Sequence, residues 1–148
     1  MDAGNVEKYV KNLENFGGIF KLEQLKNVKI LSYPVSLIIH SNQHWIGIFI
    51  SEEVLEVCDS SGYLKNSKLD HGLHKLLKTH LHNKQFIATP KLQSDLSVNC
   101  AIYVICFLYC RLVLGKTLCD FTALFTNDMN LNNSIISEIF REIKPLLK

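Results

Sequence analysis

The stretch HWIGIFISEEVLEVCDSSG, residues 44–62, decides how the rest of the chain has to be arranged. Its two apolar segments, WIGIFI and VLEVC, are rich in β-branched and aromatic residues, which favour strands. They flank a short polar segment near Ser51 and Glu52, so the stretch predicts a tight antiparallel hairpin.

This hairpin carries an imidazole at one end of its sequence and a carboxylate at the other. If the chain turns at Ser51 and Glu52, residues whose numbers sum to about 103 face each other, which pairs His44 with Asp59. A loop one residue longer would still leave the two side chains in neighbouring rungs, where the carboxylate can orient the imidazole. For Asp59 considered alone, a turn in which its side chain caps local backbone is the more ordinary interpretation.

An oriented imidazole needs a group to act upon, and Cys100 is the best candidate. Asn99 is a good N-cap residue for the apolar stretch from Cys100 to Leu114, and Gly115 is a suitable end for that helix. At the first turn of a buried helix, unpaired N–H groups and the macrodipole favour a thiolate, and a neighbouring imidazolium lowers the thiol's pKa further. By position alone, packing is the more ordinary role of a buried cysteine, so Cys100 is at this point a candidate nucleophile.

Gln93 lies seven residues before Cys100 in a polar loop. Its side-chain N–H, together with the backbone N–H of Cys100, could form an oxyanion hole. In isolation Gln93 is an ordinary loop residue. The combination of His, Asp, Gln and a Cys that begins a helix carries the interpretation.

Outward from this stretch, helical and strand patterns alternate, which predicts the α+β class. The predicted elements are a helix over 6–13, a strand VSLII at 35–39, a helix with leucines at 69, 73, 76, 77 and 81, a strand QFIAT before Pro90, and a last helix that begins at Asn130 or Asn133 and ends at Pro145.

Composition limits the class of protein. The chain has 148 residues, 47% of them hydrophobic, and 16 basic against 14 acidic residues, which fits one domain and gives no argument for nucleic-acid binding. The beginning of the sequence lacks the apolar segment of a signal peptide, and the longest apolar run is too short to cross a bilayer. We therefore expect no membrane association.

The five cysteines form no CxxC pair and no disulfide framework, so a reducing intracellular compartment is expected. Cys106 and Cys110 are one helical turn apart, and we assign both to packing, together with Cys58. Cys119 is predicted to be inert. Trp45 would ordinarily fill a core.

Five segments of the sequence resemble a known family. HWIGIFI, EVCDSSG and LQSDLSVNCAIYVICF are similar to the His-Trp, acidic-residue and Gln-loop-Cys blocks of the adenovirus-type, or adenain-like, cysteine proteases. Their closest counterparts are the versions encoded by large DNA transposons and related DNA viruses, and SUMO-deconjugating proteases are more distant. GGIFKLEQL and FTNDMNLNNSIISEIF extend the resemblance over most of the chain. One departure is Ala101, where the family usually has glycine after the nucleophile.

The resemblance implies a papain-like fold, a central mixed sheet packed by helices, in one protease domain over 1–148. It implies Cys100 as the nucleophile, His44 as general base and acid, Asp59 as the group that orients His44, and Gln93 in the oxyanion hole. Trp45 would line the substrate site, and neither a cofactor nor a metal is implied.

The resemblance also suggests substrates and partners. Viral or element-encoded precursor polypeptides would be cut after a small residue such as glycine, in the host cytoplasm or nucleus, with packaging in virions possible for such a protein. Adenovirus members are stimulated by a peptide and by DNA, so an activating peptide or DNA is a partner expected from the resemblance alone.

Three other interpretations stay open. A deconjugating protease for a ubiquitin-like protein would share the same chemistry. A catalytically inactive protease-like module for binding or assembly is favoured by Ala101 and disfavoured by the intact set of four residues. A metal site could be built from His71, His74, His80 and His82, but no Cys or acidic cluster of metalloprotease form is nearby in the sequence, so a solvated polar helix face explains their spacing better.

Overall fold

A computed structural model describes residues 1–41, 44–62, 71–94 and 99–147, with the side chains of residues 71 and 72 excepted. The elements in chain order are α1 (Ala3–Val10), β1 (Phe16–Lys21), a 3-10 helix (Leu22–Asn27), β2 (Val35–Ser41), β3 (His44–Ile50), β4 (Val54–Cys58), α2 (His71–His80), β5 (Gln85–Ala88), α3 (Cys100–Leu112), α4 (Leu118–Thr122), α5 (Met129–Ile143) and a closing 3-10 turn (Lys144–Leu146).

The strands form one five-stranded sheet in the order β1-β2-β3-β4-β5. β1 pairs with β2 and β4 with β5 in parallel, whereas β2, β3 and β4 are antiparallel neighbours. The sheet is therefore mixed. The predicted α+β class, with a mixed sheet packed by helices and Cys100 at the beginning of a buried helix, is confirmed.

The hairpin of β3 and β4 forms as predicted, but its register differs. Ile50 pairs with Leu55 and Gly47 with Cys58, so the opposed numbers sum to 105 rather than 103 and His44 does not directly oppose Asp59. The physical reason lies in the turn. The Ser51 hydroxyl accepts hydrogen bonds from the backbone N–H groups of Glu53 and Val54, which centres the turn one residue later than predicted.

Both faces of the sheet are covered. On one face the apolar side chains of β3 and β4 pack against α2 and the first 3-10 helix, and on the other they pack against α3, with α1 and α5 beyond it. The central strands are therefore apolar on both sides. Gly47 allows the close approach of α3, since a Cβ atom there would lie 3.1 Å from Val104 Cγ1.

The ends of the helices differ from prediction, beginning with α1, which spans Ala3–Val10 rather than 6–13 because the Asp2 side chain caps it by accepting from the backbone N–H of Asn5. α3 begins at Cys100 with Asn99 in the N-cap position, but the Asn99 side chain makes no capping hydrogen bond. α5 is capped by Asp128, whose side chain accepts from the backbone N–H groups of Asn130 and Leu131, and not by Asn130 or Asn133. Asp128 satisfies the first turn two residues earlier than the apolar pattern indicated.

The α2 prediction rested on five leucines. Leu73, Leu76 and Leu77 are buried against the sheet as expected, and Leu81 packs at its edge, whereas Leu69 lies outside the described residues. Across the described ranges of the chain, every helix is too short or too polar to span a membrane.

Candidate active site

The antiparallel hairpin brings the first residue of β3 and the residue after β4 to one end of the sheet. There the Nε2 atom of His44 lies 2.9 Å from Oδ1 of Asp59. The Asp59 side chain is fully buried and that of His44 is 23% exposed. The changed register therefore does not separate the pair, because Asp59 lies past the last rung of β4, where its side chain can reach His44.

Asp59 is held from the neighbouring strand by a residue that the sequence did not single out. The Thr89 hydroxyl accepts from the backbone N–H of Asp59 (2.8 Å) and donates to the backbone carbonyl of Asp59 (2.6 Å). Thr89 follows β5, which runs parallel to β4 and ends beside Asp59. Because the hydroxyl both donates and accepts, one side chain fixes the backbone of Asp59 in place.

Asp59 also begins a tight turn, as the more ordinary interpretation of its position predicts. Oδ1 accepts from the backbone N–H of Ser61 at 3.1 Å, and the Asp59 carbonyl accepts from the backbone N–H of Gly62 at 2.9 Å. The local role and the contact with His44 are thus compatible. The carboxylate is used by the turn and by the imidazole at the same time.

The pKa values of His44 and Cys100 move in opposite directions. Burial lowers the pKa of His44, but hydrogen bonds to Asp59 and Cys100 outweigh it and raise the pKa to about 9. Burial raises the pKa of the Cys100 thiol, yet hydrogen bonds from His44 and from the backbone of Trp45 hold that pKa below its ordinary value. At neutral pH this pairing favours a thiolate beside an imidazolium.

The ring geometry suits that pair. Nε2 of His44 is occupied by Asp59, which leaves Nδ1 as the ring nitrogen that can face the sulfur of Cys100. The sulfur is also stabilised by the backbone of Ala101, in the first turn of α3. Cys100 is only 5% exposed, so the thiolate would be stabilised by protein groups far more than by water.

Gln93 is placed by the turn that begins at Asp59. The backbone N–H groups of Leu92 and Gln93 both donate to the Ser60 carbonyl, at 2.8 and 3.1 Å. The side-chain Nε2 of Gln93 donates to Ser61 Oγ at 3.3 Å. Gln93 Oε1 is buried and has no hydrogen-bond partner among the described residues.

A buried amide oxygen without a partner costs about 1–3 kcal/mol, and such groups are concentrated at functional sites. Rotating the amide by half a turn would let Oε1 accept from the Ser61 hydroxyl and would turn Nε2 to the unoccupied side. In either orientation, only one end of the Gln93 amide forms a hydrogen bond with Ser61, and the other end has no such bond. The oxyanion role of Gln93 remains a prediction.

The Trp45 side chain does not line an open surface in this conformation. It is 1% exposed and stacks on the His40 ring, with centroids 3.8 Å apart and planes 6° apart. Its backbone, rather than its indole, stabilises the sulfur of Cys100. Contact of the indole with substrate stays a prediction and would require His40 to move.

Three of the remaining cysteines are buried, as predicted for packing residues. Cys58, Cys106 and Cys110 are buried, and burial raises the pKa of each thiol. Cys119 is exposed. All five side chains are thiols without disulfide bonds within the part of the chain that the structure describes.

Asn132 is a second residue that the sequence analysis missed. It is fully buried in α5, and its Nδ2 donates to the carbonyls of Leu92 (2.9 Å) and Thr126 (2.8 Å). It thus fixes the segment immediately before Gln93. A signal was available, because Asn132 is four residues before the buried Ile136 and hence a polar residue on an apolar helix face.

Three of the four histidines considered for a metal site, His74, His80 and His82, have described side chains. His80 Nδ1 lies 2.7 Å from the Tyr33 hydroxyl, His74 and His82 are exposed, and the side chain of His71 is outside the described set. No group of three or more His, Cys, Asp or Glu residues suited to a metal ion occurs among the described residues.

Comparisons with known proteins bear on the fold of the chain and not on its activity. No family model matches the chain. No curated protein matches it either. Among solved structures, the central domain of the uncharacterized Lpg1148 protein from Legionella pneumophila is similar, with a TM-score of 0.61, 13% identity, and coverage of 99% of this chain and 98% of that one.

Two proteases are similar at lower scores. The SUMO protease Ulp1, with its catalytic cysteine oxidized to a sulfenic acid, has a TM-score of 0.45 and 18% identity over 97% of this chain and 76% of that one. A de-sumoylating protease has a TM-score of 0.45 and 14% identity over 99% of this chain and 69% of that one. At 13% identity, the similarity to the Legionella domain shows the fold alone. The TM-scores of the two proteases are too low to support a conclusion about this chain.

Proposed function

We propose that the chain is a cysteine peptidase in which Cys100 is the nucleophile, His44 the general base and acid, Asp59 the orienting carboxylate and Gln93 an oxyanion donor. The observation that carries the proposal is the geometry at one end of the sheet, where Nε2 of the partly buried His44 lies 2.9 Å from the fully buried Asp59 and His44 is hydrogen-bonded to Cys100 in the first turn of α3. This geometry raises the pKa of His44 and lowers that of Cys100. Displaced titrations of this kind are characteristic of catalytic pairs.

The chemistry follows from this arrangement. The Cys100 thiolate attacks the carbonyl carbon of the scissile bond, and the electron pair of the C=O bond moves to oxygen, facing the N–H groups of Gln93 and the Cys100 backbone. The His44 imidazolium gives its proton to the leaving nitrogen as the C–N bond breaks, which leaves a thioester on Cys100. Neutral His44 then takes a proton from water, whose oxygen displaces the thioester sulfur.

The proposed substrates are polypeptide precursors cut after a small residue, as the resemblance to adenain-like proteases implies. A viral or transposon origin and an intracellular setting belong to the same proposal. Hydrolysis of peptides with Gly, Ala or Phe before the scissile bond tests the small-residue preference. Cleavage of a ubiquitin-like fusion in preference to a precursor-type sequence would instead assign the chain to deconjugation.

Selective alkylation tests the chemistry without knowledge of the substrate. Iodoacetamide is added at pH 6.5 and each labelled cysteine is mapped by mass spectrometry. We expect Cys100 to react faster than the exposed Cys119, because only Cys100 has a partner that stabilises its thiolate at this pH. His44→Ala should remove the difference. Faster labelling of Cys119 in the unsubstituted protein would contradict the proposal.

A further inference from the structure

The basic residues of the chain are unevenly distributed, in a way that the proposed peptidase chemistry does not use. The segments 24–41 and 71–91 contain six of the sixteen basic residues and none of the fourteen acidic residues. All six are lysines. The rest of the chain consequently has an excess of acidic residues.

These two segments come together on one side of the molecule. The first 3-10 helix packs against α2, and between them lies a pocket of about 140 Å³ lined by Leu25, Lys26, Val28, Lys75, Leu76, Thr79 and His80. The Tyr33 hydroxyl contacts His80, and Lys84 lies over the Tyr33 ring at 4.3 Å from its centroid. We call the surface formed by Lys26, Lys29, Lys75, Lys78 and Lys84 the basic face.

The charge of the basic face is not neutralised by the fold. Within the described ranges, none of its five lysines forms an ion pair, and four of them, all except Lys84, are exposed. Burial and the charge of Lys84 lower the pKa of His80, as expected beside accumulated positive charge. The exposed Glu23 also lies in the first 3-10 helix, so the face has an excess of positive charge, and such an excess attracts partners of the opposite sign.

The pocket indicates which class of anionic partner fits. Its lining includes the apolar residues Leu25, Val28 and Leu76. It also includes Lys26 and Lys75, which carry positive charge. An apolar side chain flanked by carboxylates would fill such a pocket and pair with these two lysines. A phosphate backbone supplies the negative charge but has no apolar group to bury there.

We propose that the basic face binds an acidic polypeptide segment, with one apolar side chain of that segment in the pocket between the first 3-10 helix and α2. Because α2 and α3 cover opposite faces of the sheet, the bound segment does not occupy the Cys100 side. The binding does not depend on peptidase activity. Only its use as an exosite for substrates rests on the proposed function.

The test measures binding of a fluorescein-labelled synthetic peptide, a leucine flanked by glutamates, by fluorescence anisotropy to the full chain. Lys26→Glu/Lys75→Glu should weaken binding by about tenfold or more, since each change replaces attraction by repulsion. The control Lys8→Glu/Lys11→Glu makes the same charge change at exposed lysines of and beside α1 and should alter binding less than about twofold. Circular dichroism verifies that both variants are folded.

A second peptide, with serine in place of leucine, examines the pocket and should bind more weakly than the leucine peptide. Equal losses in the two double variants, or no binding by the unsubstituted chain, would overturn the proposal. A DNA duplex that binds more tightly than the peptide and is lost with Lys26→Glu/Lys75→Glu would assign the face to nucleic acid instead. If peptide binding fails while Cys100 is selectively alkylated, only the basic-face proposal fails, and the reverse result removes only the peptidase.

Discussion

The first turn of α3 and the rest of that helix hold cysteines whose pKa values differ, although all of them are buried. Cys100, in the first turn of α3, has a lowered pKa, whereas Cys106 and Cys110, farther along, have raised ones. Their exposed fractions are 5%, 0% and 8%, so burial does not distinguish them. The difference lies in the neighbours, because only Cys100 has an imidazole and backbone hydrogen bonds beside its sulfur. A buried thiol is the default, and a buried thiolate requires dedicated partners.

The largest effect should come from removing the sulfur of Cys100, compared with removing the sulfur of Cys106 in the same helix. Cys100→Ala is expected to abolish peptide hydrolysis, because the sulfur is the nucleophile, while the fold persists. Cys106→Ala should retain most of the activity and lower the free energy of unfolding by about 1 kcal/mol. Hydrolysis rates and urea denaturation measure both. Residual turnover in Cys100→Ala equal to that of Cys106→Ala would remove the contrast between the cysteines.

The next largest effect should come from Gln93, which is proposed to stabilise the negative charge on the substrate's carbonyl oxygen when Cys100 attacks. Gln93→Ala should lower kcat by about 100-fold and leave KM nearly unchanged, because an oxyanion donor acts in the transition state. Steady-state kinetics with a short peptide measures this, and Gln85→Ala, at an exposed position on β5, is the matched control. A change confined to KM would make Gln93 a substrate-binding residue.

A smaller effect is expected from the carboxylate. Asp59→Asn keeps the size of the side chain but removes the charge that raises the pKa of His44, so the pKa of His44 should fall and that of Cys100 should rise. Alkylation of Cys100 should therefore move to higher pH by about one unit, and the alkaline loss of hydrolysis should move to lower pH. At any pH below the pKa of Cys100, a rise of one unit in that pKa corresponds to about tenfold less thiolate and hence about tenfold lower reactivity.

The control for this substitution is Asp120→Asn, an acid-to-amide change at an exposed position in α4. It should leave the pH dependence of Cys100 alkylation unchanged. If Asp59→Asn and Asp120→Asn give the same profile as the unsubstituted protein, His44 and Asp59 are not coupled to Cys100. The difference in pKa between Cys100 and the other two cysteines of α3 would then need another cause.

The smallest effect should come from Thr89, which positions Asp59 without touching the sulfur. Thr89→Val preserves shape but leaves the buried N–H of Asp59 without the hydroxyl, which should cost about 1–3 kcal/mol of stability. Thr79→Val removes an exposed hydroxyl that bonds within α2 and is the control. A purely structural Thr89 would lower Tm but leave the pH profile of Cys100 alkylation unchanged, whereas a positioning residue shifts that profile as well.

The features predictable from the sequence were those set by local pattern. The hairpin strands follow from their apolar, β-branched residues, and the beginning of α3 at Cys100 follows from the polar loop before an apolar run. The register was wrong because a single hydroxyl, that of Ser51, decides where the turn is centred. Periodicity contains no information on such a hydrogen bond.

The supports of the site were missed for a different reason. Thr89 and Asp59 are 30 residues apart, and Asn132 and Leu92 are 40 apart, so their contacts exist only after the sheet and α5 have formed. The side-chain orientation of Gln93 depends likewise on a tertiary contact, with Ser61, which is 32 residues away. Local sequence can nominate the reacting groups, but long-range contacts determine how they are held.

The long-range assembly of the partners of Cys100 also gives the chain a means of reporting on its own unfolding. When the chain unfolds, His44 and Cys100 separate, and the thiols of Cys100 and Cys106 return to the ordinary pKa of about 8.5. At mildly acidic pH, an alkylating reagent should therefore mark Cys100 readily and the buried Cys106 hardly at all in native molecules, and both slowly and at similar rates in unfolded ones. The ratio of label on Cys106 to label on Cys100, followed across a urea titration, should rise from near zero toward equality and so report unfolding without an attached fluorophore.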